Sequence, residues 1–188
     1  SSTLRTSRAM PGRSLPRSAP STSLGERMDA IHVSGLDGLA QLRAWLASGS
    51  QPPMGATLGF ALVEVERGRA VFEGRPGRSV YNPLGSVHGG YAATLLDSAC
   101  GVAVASQLGP NKGHTTLELK ISYLRALTEN SGTVRAVGRV ISLGSRVGFS
   151  EATLHDGDGR LCATATSTLL VFDARPHVPG QGTIVRGE

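Results

Sequence analysis

The chain has 188 residues, enough for one domain whose fold buries roughly 70% of the surface exposed by its unfolded form, so it needs no covalent staple. Its net charge is +5, but Arg5, Arg8, Arg13 and Arg17 stand in residues 1–25 without an acid; subtracting those four leaves +1 and a nearly neutral remainder. Cys100 and Cys162 spell no zinc or CxxC spacing and read as buried free thiols, and no apolar run approaches the ~18–20 residues that span a bilayer.

Residues 1–25 are rich in Ser, Arg and Pro and poor in large apolar side chains, so burial cannot offset their ordering entropy. We read them as a disordered basic extension. The composition resembles a transit peptide and equally fits sequence upstream of a start at Met28; without an aromatic for stacking, a nucleic-acid arm is the weaker reading. In the second segment, 26–54, Leu36, Leu39, Leu42, Trp45 and Leu46 recur every three or four residues. That spacing predicts an amphipathic helix ending near Gly49, followed by a connection over 50–56.

The main domain is placed at 55–173. Strand signals at 57–68 and 69–76 flank a turn at Gly68, and a helical run lies within 82–106. Four more strand-like runs follow, at 114–127, 133–144, 146–156 and 160–172. The sequence Asp156-Gly157-Asp158-Gly159 joins the last two as a hairpin turn, too short for a calcium loop. Residues 174–188 read as a loose tail. Consecutive strands around one central helix predict an α+β domain with an antiparallel sheet of about six strands.

The stretch "NPLGSVHGGYAATLLDSACGVAVAS", 82–106, places Gly89 and Gly90 where the helix begins. A helix start presents unpaired N–H groups and partial positive charge, and glycine leaves them accessible to a carbonyl or oxyanion. The same pair also serves a tight turn. Asp97 lies eight residues on, about 12 Å along the axis, too far to share one carbonyl carbon within a chain. Two such helices packed antiparallel across a two-fold axis would bring Asp97 of one beside Gly89 of the other. A hydrogen-bonded interfacial acid is the alternative. Asn82 could orient a substrate carbonyl or simply open the turn before Pro83. His88 reads as a hydrogen-bonding positioner, because a helix N-terminus disfavours its cation. His32, His114, His155 and His177 share no metal-ligand spacing.

Asn82, the His88-Gly89-Gly90 triplet and Asp97 together resemble the signature of hotdog-fold thioesterases, in particular the PaaI-like branch of the 4-hydroxybenzoyl-CoA thioesterase family. The resemblance covers about 57–172. It implies a hotdog fold, a long helix wrapped by an antiparallel sheet, and hydrolysis of an acyl-CoA to acid and CoA. It further implies that Gly89 N–H and Asn82 polarise the thioester carbonyl and that the partner subunit's Asp97 is general base or nucleophile. Thr116 would place the water. His88, Gly90, Tyr123, Gly144, Ser145 and Arg146 would contact substrate, the last three along the pantetheine and nucleotide. Arg125 also fits the pattern, but Ala126 stands where many relatives carry proline. No cofactor or metal is implied; coenzyme A is part of the substrate. We expect a cytoplasmic homodimer or dimer of dimers with shared sites, and no nucleic-acid or membrane partner. A non-catalytic acyl-CoA-binding regulator and a hotdog hydratase or dehydratase are the alternatives. The absence of GxSxG argues against an α/β-hydrolase.

Overall fold

In the computed structural model, which describes residues 35–174, the first element is the helix α1, Gly38–Ser48. The segments read as basic extension and loose tail, 1–25 and 174–188, lie outside the described residues except for Ala174. Asp37 caps α1 by accepting a hydrogen bond from the Ala40 N–H at 2.8 Å, and Gly49 closes it at φ 65°. The stretch read as a plain connection holds a second short helix, α2, Pro53–Leu58. Proline at its first position has no N–H to lose there, so Pro52-Pro53 starts a helix instead of prolonging a loop.

Six strands follow, with one long helix between the second and third. They are β1 Phe60–Glu66, β2 Arg69–Gly74, the helix α3 Gly89–Ala105, β3 Lys112–Tyr123, β4 Val134–Leu143, β5 Val147–His155 and β6 Leu161–Asp173. Every pairing is antiparallel, and the sheet order is β1-β2-β4-β5-β6-β3. The crossing through α3 therefore sends β3 to the far edge, beside the last strand instead of β2.

The sheet wraps α3. Leu95, Leu96, Ala99, Cys100, Ala103 and Val104 are fully buried, and each leucine contributes roughly 1.5–3 kcal/mol by leaving water. A helix this apolar on most of its surface belongs in a core. Close approach is built in: a Cβ at Gly138 of β4 would lie 2.1 Å from the Ala99 carbonyl oxygen. The N-terminal helix docks as tightly. A Cβ at Gly38 would lie 1.8 Å from the Ala105 carbonyl oxygen, and the Gly38 N–H donates to the Leu108 carbonyl at 2.9 Å. Leu42 and Trp45 carry α1 into the same core as α3. This is the hotdog arrangement. No helix among the described residues is long and apolar enough to cross a membrane.

Candidate active site

The start of α3 is fixed from both sides. The Val87 N–H donates to the Leu127 carbonyl at 2.9 Å and the His88 N–H to the Val80 carbonyl at 2.8 Å. His88 is the N-cap: its Nδ1 accepts from the Gly90 N–H at 2.8 Å, so that nitrogen carries no proton here. The Gly90 N–H, expected to face substrate, is thereby engaged. The neighbouring Gly89 N–H makes no hydrogen bond among the described residues. The Tyr123 hydroxyl donates to the Gly89 carbonyl at 3.0 Å, and its ring lies 3.1 Å from where a Gly89 Cβ would stand. A side chain at Gly89 would press on that ring, which gives the glycine a packing reason beyond turn geometry.

Gly89 and Tyr123 face a cavity of about 320 Å³, shared with His88, Arg125, Leu127 and Cys162. Burial raises the Cys162 thiol pKa, as it raises that of Cys100 to about 11. Both cysteines are free and buried, poor candidates for a thiolate nucleophile. Arg125, given little weight from sequence, lines this cavity; its position in "SYLRAL" was the only signal.

Asp97 faces a different cavity, about 370 Å³, on the other side of α3. The Thr116 Oγ1 donates to the Asp97 carboxylate at 2.9 Å. Thr116 precedes a bulge in β3, where the register with β6 slips between Thr116 and Glu118. Bulges of this kind re-aim side chains beside functional sites. His114 lies two residues earlier, on the same strand face by the period of two. It stands against α3, its Nε2 3.1 Å from where a Gly101 Cβ would be. Burial pushes the His114 pKa down, and the Asp97 carboxylate pulls it partly back. Sequence reading missed His114, because an isolated histidine in a strand has no spacing to mark it; the match of Asp97 and Gly101 with Thr116 and His114 appears only when α3 meets β3.

The remaining predicted residues line neither cavity. Asn82 is held in its own turn, its Oδ1 accepting from the Leu84 N–H at 2.9 Å and the Ser86 N–H at 3.3 Å, its Nδ2 donating to Ser86 Oγ at 3.1 Å. Gly144, Ser145 and Arg146 form the β4–β5 turn. The Gly144 N–H, expected to serve a ligand, instead donates to the Val147 carbonyl at 2.9 Å and closes that turn. Ser145 and Arg146 are exposed.

The chain resembles known proteins over this same region. The thioesterase superfamily model matches residues 84–163. The 1,4-dihydroxy-2-naphthoyl-CoA hydrolase of Listeria monocytogenes is 27% identical over 119 residues, 63% of this chain and 95% of that protein. A protein of Saccharolobus solfataricus that carries an esterase name is 33% identical over 116 residues, 61% of this chain and 80% of that one. A thioesterase protein of Streptococcus pneumoniae, solved with coenzyme A, superposes with a TM-score of 0.57 at 25% identity, covering 63% of this chain and 92% of that one. With a buried helix wrapped by six antiparallel strands, and relatives matched over most of their own length, the chain belongs to the thioesterase superfamily and is a thioester hydrolase.

Proposed function

We propose that the protein is an acyl-CoA thioesterase of the PaaI-like type, hydrolysing R–CO–S–CoA to a free acid and CoA in a site shared by two copies of the chain. The observation that carries the reading is Asp97, the only charged residue on α3, held by the Thr116 hydroxyl on the wall of a cavity. A carboxylate fixed by one neutral donor keeps its second oxygen available for water. The Gly89 N–H of the other copy, at the positive end of α3, receives the thioester oxygen.

In the base form of the mechanism, Asp97 takes a proton from water as the water oxygen bonds to the acyl carbon. The C–S bond then breaks, and the departing CoA thiolate takes the proton that Asp97 had accepted. In the nucleophile form, an Asp97 oxygen bonds to the acyl carbon as the C–S bond breaks and CoA leaves as thiolate. Water then cleaves the resulting anhydride to the free acid and the Asp97 carboxylate, and its remaining proton goes to the thiolate. Thiolate is a good leaving group, so one carboxylate and one set of donors suffice and no cofactor is required. Coenzyme A enters as part of the substrate, as the bound CoA of the Streptococcus pneumoniae protein suggests. Two free, buried thiols suit a reducing compartment, and we place the protein in the cytoplasm.

Asp97→Asn conserves volume and removes the base. Its kcat/KM, followed as CoA thiol release with a thiol-reactive dye, should fall roughly 10²–10⁴-fold. The protein's own buried cysteines keep the dye background low. Retention of more than about a tenth of the activity would sink the assignment.

A further inference from the structure

The cavity beside Asp97 has walls of two origins. One comes from α3 and β3, within the region that matches the superfamily: Asp97, Gly101, Val102, His114 and Thr116. The other is built by residues that precede that region. Trp45 and Leu46 of α1, Met54 of α2, Phe60 and Leu62 of β1 and Phe72 of β2 face it. We propose that this N-terminal wall is the acyl pocket, and that it selects a compact, uncharged, apolar acyl group. The inference rests on the thioesterase reading and names its substrate class.

Three observations converge on it. The first is placement: the cavity joins the Asp97–Thr116 pair to an apolar surface, so a thioester carbonyl at the carboxylate sends its acyl group toward Trp45. The second is size. At about 370 Å³ the cavity sits near the lower end of the ~300–1,000 Å³ common for ligand pockets, enough for a ring or a short chain and too small for a long fatty tail. The third is charge. Among the described residues no lysine or arginine lines the cavity, and its one charged wall group is the Asp97 carboxylate. A second carboxylate on the acyl tail would lose its water without gaining a partner. The wall is also anchored, because Gly38 seats α1 against the end of α3 and Trp45 is buried in the shared core.

Trp45 is the only tryptophan in the chain, so its emission reports directly on the pocket. Full-length Asp97→Asn protein, which binds without rapid turnover, is titrated with hexanoyl-CoA, benzoyl-CoA, succinyl-CoA and free CoA. Hexanoyl-CoA and benzoyl-CoA should shift Trp45 emission saturably; free CoA should not, and succinyl-CoA should bind at least roughly tenfold more weakly than hexanoyl-CoA. On the wild-type background, Leu46→Ala should raise the decanoyl-to-hexanoyl ratio of kcat/KM about tenfold, and Val102→Phe should lower the hexanoyl-to-acetyl ratio by a similar factor. The two variants change the cavity in opposite directions, so loss of fold in one leaves the other decisive. Calorimetric binding of hexanoyl-CoA with silent Trp45 emission, or unchanged ratios in a folded variant, would overturn the pocket. Saturable Trp45 shifts by hexanoyl-CoA, in a wild-type protein that turns over no acyl-CoA, would support the pocket and defeat the thioesterase reading alone.

Discussion

Asp97 interrupts an otherwise uncharged helix, and the site explains how the fold tolerates it. The carboxylate is half-buried, receives the Thr116 hydroxyl and opens on a cavity, so it is never taken fully from water. His114 is the other titratable group on this wall. Its native pKa is lowered, first by burial, with Asp97 opposing in part. The native state therefore keeps His114 neutral where the unfolded chain, with a histidine pKa near ~6.5, already binds a proton. This histidine's share of stability is complete above about pH 6.5 and declines as the pH falls below it, because the unfolded state then binds more protons. The urea midpoint should drop between pH 7.5 and 5.5, and His114→Asn should flatten that drop. An unchanged slope in the variant would show that other groups set the acid sensitivity.

Among elements, the contact of α3 with the sheet leaves no room for a side chain at Gly138. With a Gly138 Cβ placed 2.1 Å from the backbone oxygen of Ala99, Gly138→Ala must push helix and strand apart. We expect a loss of roughly 1–3 kcal/mol or more in urea unfolding, against about 0.5 kcal/mol or less for Gly109→Ala, whose added methyl meets nothing within 4 Å. Equal losses would mean that the helix seat is soft. The strands and α3 were legible in sequence because alternation and the Gly89-Gly90 break followed by an apolar run are local signals. Spacing singled out Gly89 and Asp97, and the family resemblance added Thr116. The rest was not local. The place of β3 at the far edge depends on how β6 returns, the bulge after Thr116 on unequal pairing of two distant strands, and the roles of His114 and Trp45 on what lies across the cavity. Helix α2 was hidden because Pro52-Pro53 gives the same signal for a turn and for a helix start.

At the scale of the whole molecule, the proposed shared site requires one chain to hold two half-sites. The Gly89 N–H opens on one cavity and Asp97 on another, with about 12 Å of helix between them. β3 offers the means to join two copies. It is a twelve-residue edge strand, largely exposed, with Leu117 60% exposed at its bulge, and an edge of that length invites pairing with another chain. A two-fold axis beside β3 and α3 would bring the Asp97 of one copy toward the Gly89 of the other. Chains carrying Asp97→Ala and chains carrying Gly89→Val should each be inactive as homodimers, the second because the added side chain meets the Tyr123 ring and covers the N–H. In a hybrid dimer one site receives both lesions and the other receives neither. Mixed after unfolding and refolded together, the two chains should form hybrids in about half of the dimers, each with one intact site, so activity should recover to about a quarter of wild type. Tagging the two chains differently and isolating the hybrid raises the expected value to about half. Isolated hybrids without activity, formed by homodimers of normal thermal stability, would show that each chain completes its own site and that the two cavities serve separate purposes.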